Sequence, residues 1–133
     1  MKFTRYTFLI AGIYGLLVLV PQYFLEERIG LDSPPAITHP EFFYGFVGVA
    51  AAFQIVFLII AKDPLKYRLM IIPSILEKFS FGIAVIVLFI KERIPVTMFG
   101  AGTIDLILGV LFVVCLIKLS RSEPAKSANE FTK

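Results

Sequence analysis

Four long apolar blocks, separated by short polar or proline-containing segments, constrain the fold of this chain more than any other feature of its sequence. An α-helix rises about 1.5 Å per residue, so about 20 apolar residues cross a hydrocarbon core of about 30 Å. Each block has about that length. The sequence therefore predicts an all-α integral membrane protein, a four-helix bundle with spans at residues 6–25, 42–61, 69–90 and 98–119.

The composition agrees with a chain that lies almost entirely in the bilayer. Of its 133 residues, 58% are hydrophobic and 17% are charged, whereas a soluble domain carries about 25% charged residues. The single cysteine, Cys115, cannot form an intramolecular disulfide. The basic residues flank the apolar blocks and form no continuous stripe, so we expect the lipid bilayer as a partner and no nucleic acid.

Each connection between the blocks contains at least one proline, which prevents a helix from continuing through it. The first connection contains Pro34, Pro35 and Pro40, the second contains Pro64, and the third contains Pro95. Proline lacks the backbone donor that a continuing helix needs. The first block is longer than the apolar core of about 7–15 residues in a signal peptide and has no small-residue cleavage site, which favours an uncleaved first span.

The basic residues predict the orientation of the bundle. In a chain with four spans, the two termini and the middle connection share one side of the membrane. Nine basic residues lie on that side: Lys2, Arg5, Lys62, Lys66, Arg68, Lys118, Arg121, Lys126 and Lys133. Three lie on the other side: Arg28, Lys91 and Arg93. This bias predicts a multi-pass protein of the cell (cytoplasmic or inner) membrane with both termini in the cytoplasm. We expect the tail, residues 120–133, to be disordered there.

Three ionisable side chains within the predicted spans are the main indication of function: Glu77, Lys78 and Asp105. Each costs at least about 2.5–3.5 kcal/mol at mid-membrane, so such groups usually face a partner or a cavity. Lys78 can extend toward the cytoplasmic boundary or neutralise one of the two carboxyls. These residues are consistent with two roles: stabilising the packing of the bundle, or binding a ligand or a proton.

Small and polar neighbours indicate how these side chains face the bundle. Asp105 lies between Gly102 and Gly109 on a helical stripe, which predicts a close helix–helix contact. Gln54 lies near the level of Glu77, so the sequence allows a hydrogen bond between them. Gly45, Gly48 and Ala52 form a small-residue stripe on the second span, and we expect this stripe to be a packing seam.

The first connection is acidic and contains the only histidine of the chain. His39 and Glu41 are candidate site residues of this outer loop. Histidine and carboxylates are suitable metal ligands, but a lone histidine before a proline is more typical of a loop or a helix entry. We therefore expect no metal and no cofactor. The aromatic residues Phe42, Phe43 and Tyr44 follow, where an interfacial aromatic belt belongs.

Several short motifs resemble those of small bacterial four-helix membrane proteins. They are His39–Gly45, Lys62-Asp63-Pro64, Leu76–Phe79 and Asp105–Gly109. Their order over most of residues 1–120 is similar in layout to that of the DoxX-like proteins, a broad group of four-span bundles. The resemblance implies the architecture and transfers no activity.

Three functions fit these features. The first is a binding or accessory bundle, which holds a lipophilic ligand or a partner membrane subunit. The second is an oligomeric, proton-coupled transporter that uses Glu77 or Asp105. The third is a membrane enzyme acting on a lipid or isoprenoid, with the same two carboxyls as acid and base. Because no histidine lies in a span and no catalytic constellation is recognisable, we assign no catalytic residue and favour a non-enzymatic protein.

Overall fold

The structure is a computed structural model that describes residues 1–122, and these residues form helices and connections without any strand. Five α-helices follow one another along the chain: α1 (Lys2–Leu19), α2 (Glu26–Asp32), α3 (Pro40–Lys62), α4 (Ile71–Ile90) and α5 (Val96–Arg121). A 3₁₀ segment, Val20–Phe24, extends α1, and another, Arg68–Met70, leads into α4. The predicted all-α class is confirmed for the described residues.

Four of the helical segments are long and apolar enough to cross a membrane. They are Lys2–Phe24, Pro40–Lys62, Arg68–Ile90 and Val96–Arg121. Each overlaps one of the four predicted spans. The chain is therefore a multi-pass membrane protein with a helical bundle. Of the tail expected to be disordered, residues 120–133, Ser120 and Arg121 are instead the last residues of α5, and residues from 123 onward lie outside the described part of the chain.

Prolines mark where the helices begin or change. Pro40 is the first residue of α3, where its missing N–H costs no helical hydrogen bond. Pro95 precedes α5 in an extended conformation. Pro21 lies in the 3₁₀ segment that tightens the end of the first span. Pro40 and Pro95, which separate apolar blocks in the sequence, therefore mark the starts of α3 and α5.

The four long helices pack as two hairpins. α1 lies along α3 and α4 lies along α5, whereas contacts between the two hairpins are much less extensive. Glycine allows the close approach within each hairpin. A Cβ atom on Gly15 of α1 would overlap the side chain of Gln54 on α3, and one on Gly102 of α5 would overlap Val85 on α4. Such small-residue contacts are the usual means of close helix packing in lipid.

The two hairpins meet in a phenylalanine core. The rings of Phe8 and Phe112 stack with centroids 4.1 Å apart, and Phe57 packs edge-on against both. All three side chains are fully buried. This core lies in the half of the bundle that contains the N terminus, the connection between α3 and α4, and the end of α5. We call this the basic end, and the opposite end the α2 end.

Contacts between basic residues and neighbouring segments define the basic end. Arg5 donates a hydrogen bond to the carbonyl of Lys62, with an N–O distance of 3.3 Å. The ammonium of Lys118 lies 4.3 Å from the centroid of the Phe3 ring. The N terminus, the second connection and the end of α5 therefore lie on one side of the bundle.

The prediction that small residues on α3 form a packing seam was wrong. Among the described residues, no atom of another segment lies within 4 Å of a Cβ atom placed on Gly45, and one on Gly48 would meet only the hydroxyl of Tyr23. Ala52 is exposed. The glycines that bring α1 and α3 together are Gly12 and Gly15, on the partner helix. A stripe of small residues indicates that close packing is possible, but not which face is used.

The acidic first connection contains a helix that the sequence analysis did not predict. α2 is short and docks against the start of α3, where the hydroxyl of Tyr44 donates a 2.6 Å hydrogen bond to Glu26. The rings of Tyr23 and Tyr44 stack, with centroids 6.0 Å apart. Tyrosine and glutamate side chains therefore hold the first connection against α3 at the α2 end.

Candidate functional site

All four long helices contribute to a cavity between the two hairpins. Its volume is about 240 Å³, and it lies on the α2 side of the phenylalanine core. Its wall is mostly apolar, with a few polar groups. The lining residues are Tyr14, Gly15, Val18, Leu19, Gln22, Phe46, Ala50, Gln54, Glu77, Lys78, Phe81, Met98, Ala101 and Asp105.

The three ionisable side chains predicted in the spans come together on this wall. The ammonium of Lys78 donates a hydrogen bond to Oδ1 of Asp105 at 3.2 Å. It also lies 3.3 Å from Oε2 of Glu77. We call Glu77, Lys78 and Asp105 the charged triad. Because two carboxyls share one ammonium, the triad has a formal charge of −1 when all three groups are ionised.

The two carboxyls differ in how they are satisfied. Asp105 accepts a hydrogen bond from Lys78. Oε2 of Glu77 is buried, and within the described residues no donor makes a hydrogen bond to it, although the Lys78 ammonium lies at ion-pair distance. The ammonium of Lys78 thus lies at nearly the same distance from both carboxyls, and Glu77 is the one whose buried oxygen has no hydrogen-bond donor in the described part of the chain. A buried acceptor without a donor is costly and is common where a ligand or proton binds.

Lys78 points into the bundle and not toward the membrane boundary. It is 5% exposed, and its ammonium lies 5.3 Å from the centroid of the buried Phe57 ring. The alternative in which Lys78 snorkels to the cytoplasmic side was wrong. The other alternative, neutralisation of Glu77 and Asp105, describes its contacts, because paired charges are the form in which buried ammonium groups are tolerated.

Gln54 lines the cavity as well, but its amide nitrogen is used within its own helix. Nε2 donates to the carbonyl oxygen of Ala50 at 2.9 Å, and the side chain packs over Gly15. The anticipated hydrogen bond from Gln54 to Glu77 is therefore replaced by one to the backbone. Gln54 forms a polar part of the wall, beside the charged triad.

Glycine packing holds Asp105 in place on α5, as the sequence predicts. A Cβ atom on Gly109 would approach the ring of Phe79 to 3.1 Å, and Gly102 lies against Val85. Both partners belong to α4, the helix that carries Glu77 and Lys78. The close approach of α4 and α5 thus places Lys78 within hydrogen-bonding distance of Asp105.

The outer-loop candidates lie away from this cavity. Nδ1 of His39 is 3.4 Å from Oε1 of Glu41, and both side chains are mostly exposed. Neither residue lines the cavity. Within residues 1–122, no group of three or more histidine, cysteine or acidic side chains is arranged to hold a metal ion.

The structure adds wall residues that the sequence analysis did not select. Tyr14 and Gln22 belong to the first helical segment, and Phe46 and Phe81 form a ring pair with centroids 5.5 Å apart. Uncharged polar and aromatic residues are common in membrane spans, so their identity alone gave no signal. Only their position on the wall of the same cavity as the triad relates them to the site.

Comparisons of the chain with protein-family models, curated proteins and solved structures give no match. The similarity in layout to the DoxX-like proteins therefore stays a prediction, and the site is interpreted from its own geometry.

Proposed function

We propose that this protein is a membrane-embedded binding protein that holds a lipophilic ligand in the cavity between its two hairpins. The observation that carries this proposal is the charged triad on the wall of an otherwise largely apolar cavity. Ligand sites generally combine an apolar lining with a few polar groups that orient the ligand. The aromatic and aliphatic wall suits an apolar chain, and the triad suits a polar head.

The size of the cavity restricts the ligand. A volume of about 240 Å³ is at or below the small end of ligand sites, which span about 300–1,000 Å³. A single alkyl or isoprenoid chain with a small head fits this volume better than a two-chain phospholipid does. An accessory role, in which the bundle presents such a ligand to a second copy or to a partner membrane subunit, is compatible with the same site.

Native mass spectrometry of the protein released from mild detergent tests this proposal. We expect a fraction of the protein to carry one small lipophilic molecule. Ala101→Phe fills the cavity and should abolish that adduct, whereas Ala84→Phe on the exposed face of α4 should retain it. Absence of any adduct from wild-type protein, or equal adducts in both variants, contradicts the proposal.

The proposed orientation places the basic end in the cytoplasm and the α2 end outside the cell membrane. Basic residues flanking spans are retained on the cytoplasmic side. Within the described chain, the basic end contains seven basic residues that flank the spans: Lys2, Arg5, Lys62, Lys66, Arg68, Lys118 and Arg121. The α2 end contains three: Arg28, Lys91 and Arg93. The cavity then lies in the outer half of the bilayer.

A second candidate function is proton-coupled transport by an oligomer of this chain. It is favoured by one observation, the surplus carboxyl of the triad at Glu77. Such groups form proton relays in membrane carriers. In proteoliposomes, ligand uptake driven by a proton gradient and lost in Glu77→Gln would favour this function, whereas binding without gradient-driven uptake favours the binding protein.

A further inference from the structure

A second space lies beside the interior cavity, on the lipid-facing side of α3 and α4. This groove has a volume of about 480 Å³, and its lining includes Gly45, Val49 and Ser80. Val49 is 63% exposed, and Gly45 has open space where a side chain would be. Because the surrounding surface is apolar and belongs to membrane-spanning segments, the groove opens toward the acyl chains of the bilayer.

The groove and the cavity share part of their walls. Four residues line both spaces: Phe46, Ala50, Glu77 and Phe81. The rings of Phe46 and Phe81, with centroids 5.5 Å apart, lie where α3 faces α4, and these helices contact each other much less than the partners within each hairpin do. Glu77 therefore lines both the interior cavity and the groove on the bilayer side.

The charge of the site indicates which head group it accepts. One ammonium, that of Lys78, serves two carboxyls, and because its hydrogen bond goes to Asp105, Glu77 keeps a buried oxygen that has no hydrogen-bond donor among the described residues. A carboxylate in apolar surroundings binds a cationic donor strongly. The two flanking phenylalanine rings also favour a cation, since ammonium groups are attracted to aromatic faces.

We propose that the space between α3 and α4 is a lateral portal, through which a single-chain amphiphile with an ammonium head enters from the bilayer and pairs with Glu77. This inference rests on the proposed binding function and names the ligand class and its route. The head lies at Glu77, beside the ring pair of Phe46 and Phe81, and the chain extends into the interior cavity. Asp105 keeps Lys78 neutralised while the ligand is bound.

Radiolabelled dodecylamine and dodecanol, which share one chain and differ in the head, test the ligand class. With wild-type protein in lipid nanodiscs, and with empty nanodiscs as background, we expect dodecylamine to bind at least about tenfold more tightly than dodecanol. Glu77→Gln should remove this preference. Equal affinities for the two probes in wild-type protein overturn the ammonium head.

Exchange kinetics test the route separately. Val49→Trp narrows the groove without altering any residue that lines the interior cavity. We expect it to slow dodecylamine uptake and release by about tenfold at unchanged affinity, because a barrier on the route alters both rates equally. Val110→Trp, on an exposed position of α5 outside both spaces, should leave both rates unchanged.

The outcomes separate this inference from the function on which it rests. If wild-type protein carries a native ligand but exchanges dodecylamine equally fast in Val49→Trp and Val110→Trp, the portal is overturned and the binding function stands. If wild-type protein holds neither a native ligand nor dodecylamine, both are overturned. Thermal unfolding of each variant in the same nanodiscs shows that the compared proteins are folded.

Discussion

Lys78 is paired with both acidic side chains of the cavity. Because all three groups are largely buried, we expect the stability of the fold to depend on their charges compensating one another. Lys78 lies in the third span, is 5% exposed, and contacts Glu77 and Asp105. These three residues could be predicted from the sequence, because a charged group in an apolar span is costly and conspicuous. Their separate roles could not be predicted, since they depend on the hydrogen bond to Asp105 and on the unsatisfied oxygen of Glu77.

Removing the ammonium should destabilise the bundle strongly. Lys78→Met leaves two carboxyls facing each other without a counterion, and breaking a buried ion pair in this way costs about 3–5 kcal/mol. We expect a large fall in the thermal unfolding temperature in detergent. Lys118→Met is the control, because Lys118 is exposed at the basic end, where its ammonium lies over the ring of Phe3.

A compensating variant distinguishes loss of charge balance from loss of packing. Lys78→Met combined with Glu77→Gln and Asp105→Asn removes all three charges, so that no uncompensated charge stays buried. The triple variant should recover most of the lost unfolding temperature. If the triple variant is as unstable as Lys78→Met alone, the instability comes from lost packing and not from unbalanced charge.

At the scale of the elements, the helices themselves are the part most accessible to sequence analysis. Their lengths follow from the apolar blocks and their ends from prolines such as Pro40 and Pro95. The packing faces were less predictable. The seam expected at Gly45 is open, whereas Gly15 and Gly102 are tightly packed, because the partner's side chains decide which small residue is needed. Helix α2 is only seven residues long and lies in a polar segment without apolar periodicity.

Two glycines on α5 test the packing of the second hairpin. Gly102→Leu should destabilise the fold by about 1–3 kcal/mol, the usual cost of overpacking, because its side chain would collide with Val85. Gly100→Leu should have little effect, since no other segment in residues 1–122 lies within 4 Å of a Cβ atom at that position. Unfolding monitored by circular dichroism in one detergent compares the two variants. Equal losses would contradict the close α4–α5 contact.

At the scale of the whole molecule, the two hairpins are joined tightly at the basic end and enclose the cavity toward the α2 end. The phenylalanine core of Phe8, Phe57 and Phe112 closes one half. The sequence predicted four spans but offered no means to pair them, because every span is apolar on most faces. The cavity arises from that pairing, and so the residues contributed by the first span, such as Tyr14, became apparent only in the structure.

The proposed orientation of the whole molecule predicts a pattern of labelling. Ser33 lies between α2 and α3, and Ser122 follows α5. A membrane-impermeant maleimide should label Ser33→Cys in intact cells and Ser122→Cys only after the membrane is opened. The parent chain should stay unlabelled in both conditions, because Cys115 is fully buried. The reverse pattern would invert the proposed topology.

The most direct test of the proposed function is the electron density in the cavity of protein crystallised from lipidic cubic phase without added ligand. We expect continuous density for one single-chain molecule, with a polar head within about 3.2 Å of a Glu77 carboxyl oxygen and the chain lying between the two hairpins. The contradictory result is a cavity closed by the side chains of Phe46, Phe81 and Met98, with Glu77 hydrogen-bonded only to protein groups.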